Sequence, residues 1–185
     1  VGWRADVLAG GYKSYRRLVV KALYEASLPH RIILIDGGTG TGKTRLLHHI
    51  AEQGGQMIDL EAMAEHRGSL FGPMGRCQPS QKAFESRVAM ALARLDPAQP
   101  VFVEAESSKI GRLILPPSLW KRMIEAPSIM LEAPRAARAA HLQTAYPDMI
   151  DDIDKLDTVL DKLVRYHGYE KVDSWRKLAR TGAFQ

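Results

Sequence analysis

The octapeptide Gly37-Gly38-Thr39-Gly40-Thr41-Gly42-Lys43-Thr44 constrains this chain more than any other segment. It follows the apolar run Ile32-Ile33-Leu34-Ile35 and precedes a helical pattern, the strand, loop and helix context that a phosphate-cradling loop requires. Glycines let the backbone close into a ring of N–H donors, the next helix adds its positive end, and Lys43 brings a point charge to the outer phosphates. The Thr44 hydroxyl is then placed to hold Mg2+. All eight residues are expected to line the site of a phosphorylated ligand.

The rest of the chain builds the frame such a loop needs. Lys43 to Gln53 reads as a helix ended by Gly54-Gly55, and Met57-Ile58-Asp59-Leu60 as the next short strand. That order implies a parallel sheet, in which Val101-Phe102-Val103-Glu104 and Ile129-Met130-Leu131-Glu132 suit central strands. Phe84, Val88, Leu92 and Leu95 share one face of a helix from Pro79 to about Leu95, and Leu119, Trp120, Met123 and Ile124 mark a shorter one. Residues Arg135 to Ala145 form an alanine-rich helix, and Asp148 to Arg165 a single amphipathic helix capped by Gly168; Val172, Trp175 and Leu178 mark the last helix. The fold class is α/β, a P-loop NTPase-like three-layer fold with a parallel sheet. The P-loop α/β domain spans 1–147, preceded by a basic helix, and 148–185 is a C-terminal helical extension packed on it.

With 185 residues, 45% of them hydrophobic, the chain can bury one substantial core. Its apolar runs fall short of the roughly eighteen residues of a membrane helix, so no membrane partner and a cytoplasmic location are expected. The single cysteine, Cys77, excludes an internal disulfide and a multi-cysteine zinc cage, and reads as a small packing residue. Because the chain opens on Val1 rather than methionine, it is expected to start inside a longer protein. The net charge of +5 favours polyanionic partners. Between Tyr12 and Leu23, positions 12, 15, 19, 22 and 23 form an apolar stripe, and Lys13, Arg16, Arg17 and Lys21 a basic one. That face suits an RNA backbone, with a solvated surface as the alternative.

Phosphate loops work with an acid at a neighbouring strand end, and Glu104 or Glu106 stands there. One is expected to bind metal with Thr44, the other to act on a substrate group or pair with an arginine. Arg135 and Arg138, at helical spacing after the Glu132 strand, are placed to neutralise charge developing on phosphate, and Arg112 is a further candidate. His66-Arg67-Gly68-Ser69 offers a titratable ring, a fixed cation and a hydroxyl within one turn, a grip for a diphosphate or a base. Lys43, Glu104, Glu106, Arg67, Arg135 and Arg138 are the catalytic candidates. The loop with His66, Arg67, Ser69 and Arg112 supplies the ligand-binding ones.

These motifs, in this order, resemble the phosphate-loop portion of the bacterial tRNA 2-selenouridine synthase family. The matching elements are Gly10-Gly11-Tyr12-Lys13 with Tyr15-Arg16, the loop from Gly37 to Thr44, Asp59-Leu60-Glu61, Ala64 to Ser69, and Phe71-Gly72. They continue through Gln78-Pro79-Ser80-Gln81, Phe84-Glu85, Glu104-Ala105-Glu106-Ser107 and Ile110-Gly111-Arg112. The resemblance implies a transferase that modifies the wobble 2-thiouridine of tRNA, first adding a geranyl group from geranyl diphosphate, then exchanging sulfur for selenium from selenophosphate. It also implies an upstream rhodanese-like domain with an essential cysteine. No such segment is present here, so this chain alone is expected to be incomplete for selenium transfer. Whether the loop takes a nucleotide or a prenyl diphosphate stays open on the residues. A small-molecule kinase and a non-catalytic, nucleotide-controlled RNA-binding module are the rival functions.

Overall fold

A computed structural model describes residues 7–69, 72 and 77–182. Phe71, one of the residues that carry the resemblance, lies outside them. The elements in chain order are α1 (Gly11–Val20), which runs on into a π-helical turn (Lys21–Glu25), β1 (Arg31–Gly37), α2 (Lys43–Glu52), β2 (Gln56–Ile58) and α3 (Leu60–Ala64). Then come α4 (Gln81–Leu92), β3 (Pro100–Glu104), β4 (Lys109–Ile110), β5 (Leu113–Ile114), α5 (Pro117–Ile124) and β6 (Ser128–Leu131). The chain finishes in α6 (Arg135–Ala145), α7 (Pro147–Ile150), α8 (Ile153–Asp161), α9 (Val164–His167) and α10 (Tyr169–Arg180).

Two compact units emerge: Val1–Ile35 with Leu46–Ile129, and Asp36–Arg45 with Met130–Gln185. The phosphate loop thus groups with α6 to α10, a division that differs from the sequence boundary after residue 147.

In the first unit, β1 and β2 flank β3 in parallel, with Ile32 opposite Val101, Ile35 opposite Glu104, and Met57 opposite Phe102. The strand order is β2-β3-β1-β6. Val101 and Val103 of β3 are fully buried, as a central strand demands. Phe84, Val88 and Leu92 of α4 and Val19 and Leu23 of the first helix close over the same core. The expectation that β6 is also central is corrected: it lies at the sheet edge, and Ile129 and Met130 are exposed. A continuous apolar run fits either position, and only pairing decides between them.

The second unit corrects another expectation. The single helix from Asp148 to Arg165 is three, α7, α8 and α9. Asp152 interrupts it, because its side chain accepts the Lys155 N–H at 3.0 Å and starts α8 afresh. Met149, Val159, Leu160, Val172 and Ala179 form this unit's buried apolar set. On α10, Arg176 pairs with Asp161 and, at 2.7 Å, with Asp173, while Arg180 reaches Asp157 at 2.7 Å.

One buried carboxylate ties the first helix to α4. Glu85, 2% exposed, accepts from the Arg16 guanidinium, from the Tyr24 hydroxyl at 2.6 Å and from Gln81 at 3.0 Å. Burial alone would raise its pKa, but these hydrogen bonds and the Arg16 charge outweigh it and hold the carboxyl below the ordinary glutamate value. Breaking a buried pair from one side leaves a stranded charge. Arg16→Ala is therefore expected to cost roughly 3–5 kcal/mol in urea denaturation at pH 7. The deficit should shrink as acid neutralises Glu85, since a depressed carboxyl stabilises the native state only above its folded pKa.

Candidate functional site

The phosphate loop leaves β1 at Gly37, whose φ of 147° is open to glycine and few other residues. A Cβ there would lie 2.6 Å from the Leu131 carbonyl oxygen, so only a bare backbone passes this point. Asp36 accepts the Gly37 N–H at 2.6 Å, and the Thr41 hydroxyl donates to the Gly38 carbonyl at 2.9 Å. Lys43 opens α2 and folds its ammonium back onto the Gly37 carbonyl, 2.9 Å away. Thr44 follows in the first turn of α2.

Arg138 reaches this loop from α6. Its Nε donates to the Thr39 carbonyl at 2.8 Å, and its Nη2 lies 3.0 Å from where a Gly38 side chain would begin. Arg135, one turn earlier on α6, is exposed. The loop unit therefore carries two cations, Lys43 and Arg138, that donate to neutral carbonyls of the loop itself. A phosphate oxygen is a stronger acceptor than a carbonyl for either, so anion binding would exchange a weak bond for a charge-assisted one.

The first unit gathers three acids. Glu104 ends β3 and is 4% exposed, Glu106 follows it, and Glu61 joins them from α3, with one oxygen of each within 4.8 Å of the others. Asp59 starts α3 by accepting the Ala62 N–H at 2.8 Å, which sets Glu61 at its place. Gly68 closes over the cluster with φ 65°, and a Cβ there would meet the Glu61 and Glu106 carboxylates at 2.7 Å. Burial, and then the charges of Glu104, Glu106 and Asp59, raise the Glu61 pKa from 4.5 to about 9. Three hard oxygen donors that repel one another when bare are a donor set that fits a divalent cation such as Mg2+. Sequence reasoning named Glu104 and Glu106 but gave Glu61 no role. Its signal was the Asp59-Leu60-Glu61 cap directly after a strand.

The His66-Arg67-Gly68-Ser69 turn is folded on its own backbone. Gly68 N–H donates to the His66 Nδ1 at 3.1 Å, Arg67 N–H to the Gly72 carbonyl at 2.9 Å, and Gly72 N–H to the Ser69 carbonyl at 2.9 Å. Burial lowers the His66 pKa, favouring the neutral ring. Arg112 is held differently, its guanidinium donating to the Gln78 carbonyl and its N–H to the Gln78 side chain at 2.9 Å. Gln78 also donates to the Ile110 carbonyl at 2.9 Å, and Gln81 both donates to and accepts from Ile114. The Gln-Pro-Ser-Gln block is thus a clamp on the β4–β5 hairpin. Cys77, expected to pack inside, is exposed.

On α1, Lys13 and Arg17 are exposed, as is Lys21 in the π turn, whereas Arg16 is turned inward to Glu85. Tyr12 is 62% exposed and lies 6.3 Å, ring to ring, from Tyr15. Among the described residues no helix is long and apolar enough to cross a membrane.

A parallel sheet whose first strand runs through a glycine loop into a helix defines a P-loop NTPase-like α/β protein. Residues 30–169 match the family described as the tRNA 2-selenouridine synthase AAA domain, and the chain belongs to that family. It is 36% identical over 148 residues to the tRNA 2-selenouridine synthase of Nitrosomonas europaea, a match that covers 78% of this chain and 38% of that protein. It is 40% identical to the Marinobacter nauticus synthase, over 76% of this chain and 38% of the relative, and 41% to that of Hahella chejuensis, over 71% and 35%. The chain therefore spans well under half the length of these relatives. A DNA replication initiation factor of known structure resembles it more loosely, with 15% identity and a TM-score of 0.33 over 96% of this chain and 63% of that one.

The raised Glu61 pKa has a sign that can be measured. Between pH 4.5 and about 9 the folded chain keeps a proton that the unfolded chain releases, so stability falls as pH rises through that window. In metal-free buffer Glu61→Gln is expected to melt higher than the parent above pH 5, by roughly 2–4 °C for each kcal/mol recovered. The gain should widen toward pH 9 in a melting series; an unchanged slope would show that Glu61 titrates normally.

Proposed function

We propose that this chain is the P-loop domain of a tRNA-modifying transferase, binding tRNA and the diphosphate of geranyl diphosphate during geranylation and selenation of wobble 2-thiouridine. The observation that carries the reading is Arg138 anchored on Thr39 beside Lys43, because two cations parked on neutral carbonyls suit a diphosphate leaving group better than they serve the fold. In the alkylation step the thiocarbonyl sulfur attacks C1 of the geranyl chain, the C1–O bond breaks, the electron pair leaves with the diphosphate, and the ring N3 proton is released to solvent. Lys43, Arg138 and the loop N–H groups receive that charge, with Arg135 adding to the positive field. Mg2+ held by the Thr44 hydroxyl would neutralise phosphate charge when bound, and the Glu61, Glu104 and Glu106 carboxylates are a second donor set that would hold such an ion. The selenium step draws on selenophosphate and on an upstream rhodanese-like domain of a longer parent protein acting in the cytoplasm.

The RNA backbone is assigned to Lys13, Arg17 and Lys21. Arg16 serves that face by holding α1 to Glu85, so a reversal of its charge would report folding rather than RNA contact. Lys13→Glu with Arg17→Glu is expected to weaken tRNA binding and lower its salt slope by about 2. Unaltered binding would remove α1 from the interface.

The function is tested by incubating the full-length parent with 2-thiouridine tRNA and geranyl diphosphate and weighing the nucleosides by mass spectrometry. A geranylated nucleoside is expected from the parent, with a loss on the order of a hundredfold or more in Lys43→Ala. Unchanged tRNA, with ATP consumed on a small acceptor instead, would establish the kinase.

A further inference from the structure

We infer that the junction of α9 and α10 is a second RNA-contacting surface, a platform on which unpaired nucleobases stack while neighbouring cations take the flanking phosphates. This rests on the RNA-modifying function proposed above. It concerns residues that function has not used, in the same compact unit as the phosphate loop.

Three aromatic side chains and an imidazole fall within ten residues here: Tyr166, His167, Tyr169 and Trp175. Tyr169 is 74% exposed and Tyr166 63%. Single exposed apolar side chains are ordinary, but these are grouped and interleaved with cations. The Arg165 guanidinium lies over the Tyr166 ring, 4.5 Å from its centre, and donates to its hydroxyl, which fixes a positive charge beside that ring. Lys171 sits 6.0 Å above the Trp175 ring, and His167 meets that ring edge-on at 5.1 Å. A surface depression of about 420 Å³ at the start of α10 is lined by His167, Gly168, Tyr169, Glu170, Lys171 and Ser174.

Charge selects the occupant. Other acids of α8 and α10 are paired within the helices, Asp157 with Arg180, and Asp161 and Asp173 with Arg176. Glu170 is the one acid among the lining residues, against Lys171 there and Arg165 next to the platform. Exposed π-faces beside cations match a ligand with flat bases and an anionic backbone, and every base offers a π-face whatever its sequence. A docked protein would need a continuous apolar patch, which the intervening cations break up.

The test measures binding of the chain to two fluorescein-labelled RNAs of equal length, a stem-loop with a seven-nucleotide loop and a blunt duplex. Tyr169→Ala is expected to weaken the stem-loop on the order of tenfold and leave the duplex within twofold, while Tyr169→Phe, which keeps the ring face, binds like the parent. Lys171→Ala should reduce the salt slope for the stem-loop by about 1. Far-UV circular dichroism and a melting curve confirm that each variant is folded, as the exposure of both side chains leads one to expect. Equal stem-loop affinity for the parent and Tyr169→Ala overturns this surface alone and leaves the platform to a protein partner. A parent chain that binds neither RNA overturns the functional reading together with it.

Discussion

Parallel pairing of β1 with β3 is the constraint on which the rest depends. With Ile32 opposite Val101 and Ile35 opposite Glu104, the apolar stretches of both strands are sealed into the core, and the ladder ends on a carboxylate. Ala105 N–H still donates to the Ile35 carbonyl at 2.9 Å, so the backbone beyond Glu104 is fixed as well. Burial of Glu104 is a by-product of that register. A glutamate at the end of a central strand is expensive unless something answers its charge. The fold sets Glu61 and Glu106 beside it and closes Gly68 over the group, so acidic side chains are drawn together by position. An arrangement the apolar core alone would disfavour marks the cluster as a candidate site.

The polar contacts outside the cluster serve precision. Gln78 and Gln81 satisfy the backbone of a hairpin whose two strands are two residues each, too short to hold themselves. Arg87 bonds the Met63 carbonyl at 2.7 Å and Glu65 at 2.9 Å, just where Glu65 takes the left-handed conformation that ends α3 and turns the chain into His66. Both contacts locate loops that side-chain packing would leave loose. Motif residues that look chemical in a sequence can be structural for this reason: a loop carrying chemistry needs neighbours that hold it.

The elements legible in the sequence were those in which local pattern and tertiary role agree. β1, its loop and α2 carry their own punctuation, α4 shows a helical period over ten residues or more, and α6 is rich in alanine. What the sequence hid depends on partners far along the chain. Arg16 looks like part of a basic stripe until Glu85, 69 residues away, is seen to take it. The hairpin of β4 and β5 has no period to detect, since two residues cannot alternate. The break at Asp152 was readable as a cap but was masked by the apolar positions running through it, and Glu61 acquires meaning only when β3 brings Glu104 and Glu106 alongside.

The cations of this chain divide by what they face. Arg16, Arg87, Arg176 and Arg180 are matched to carboxylates, and their charge is spent inside the protein. Lys43 and Arg138 donate to peptide carbonyls, and Arg165 and Lys171 lie over aromatic rings. Carbonyls and π-faces orient a cation without neutralising it, so its field remains available to an incoming anion. A net charge of +5 says only that positive charge is in excess. The pairing shows where part of that excess is held in fixed positions: at the glycine loop, where a compact anion would meet it, and at the α9–α10 junction, where it lies among flat rings. Under the functions proposed above, the first would meet the phosphate of a small donor and the second the bases of a nucleic acid.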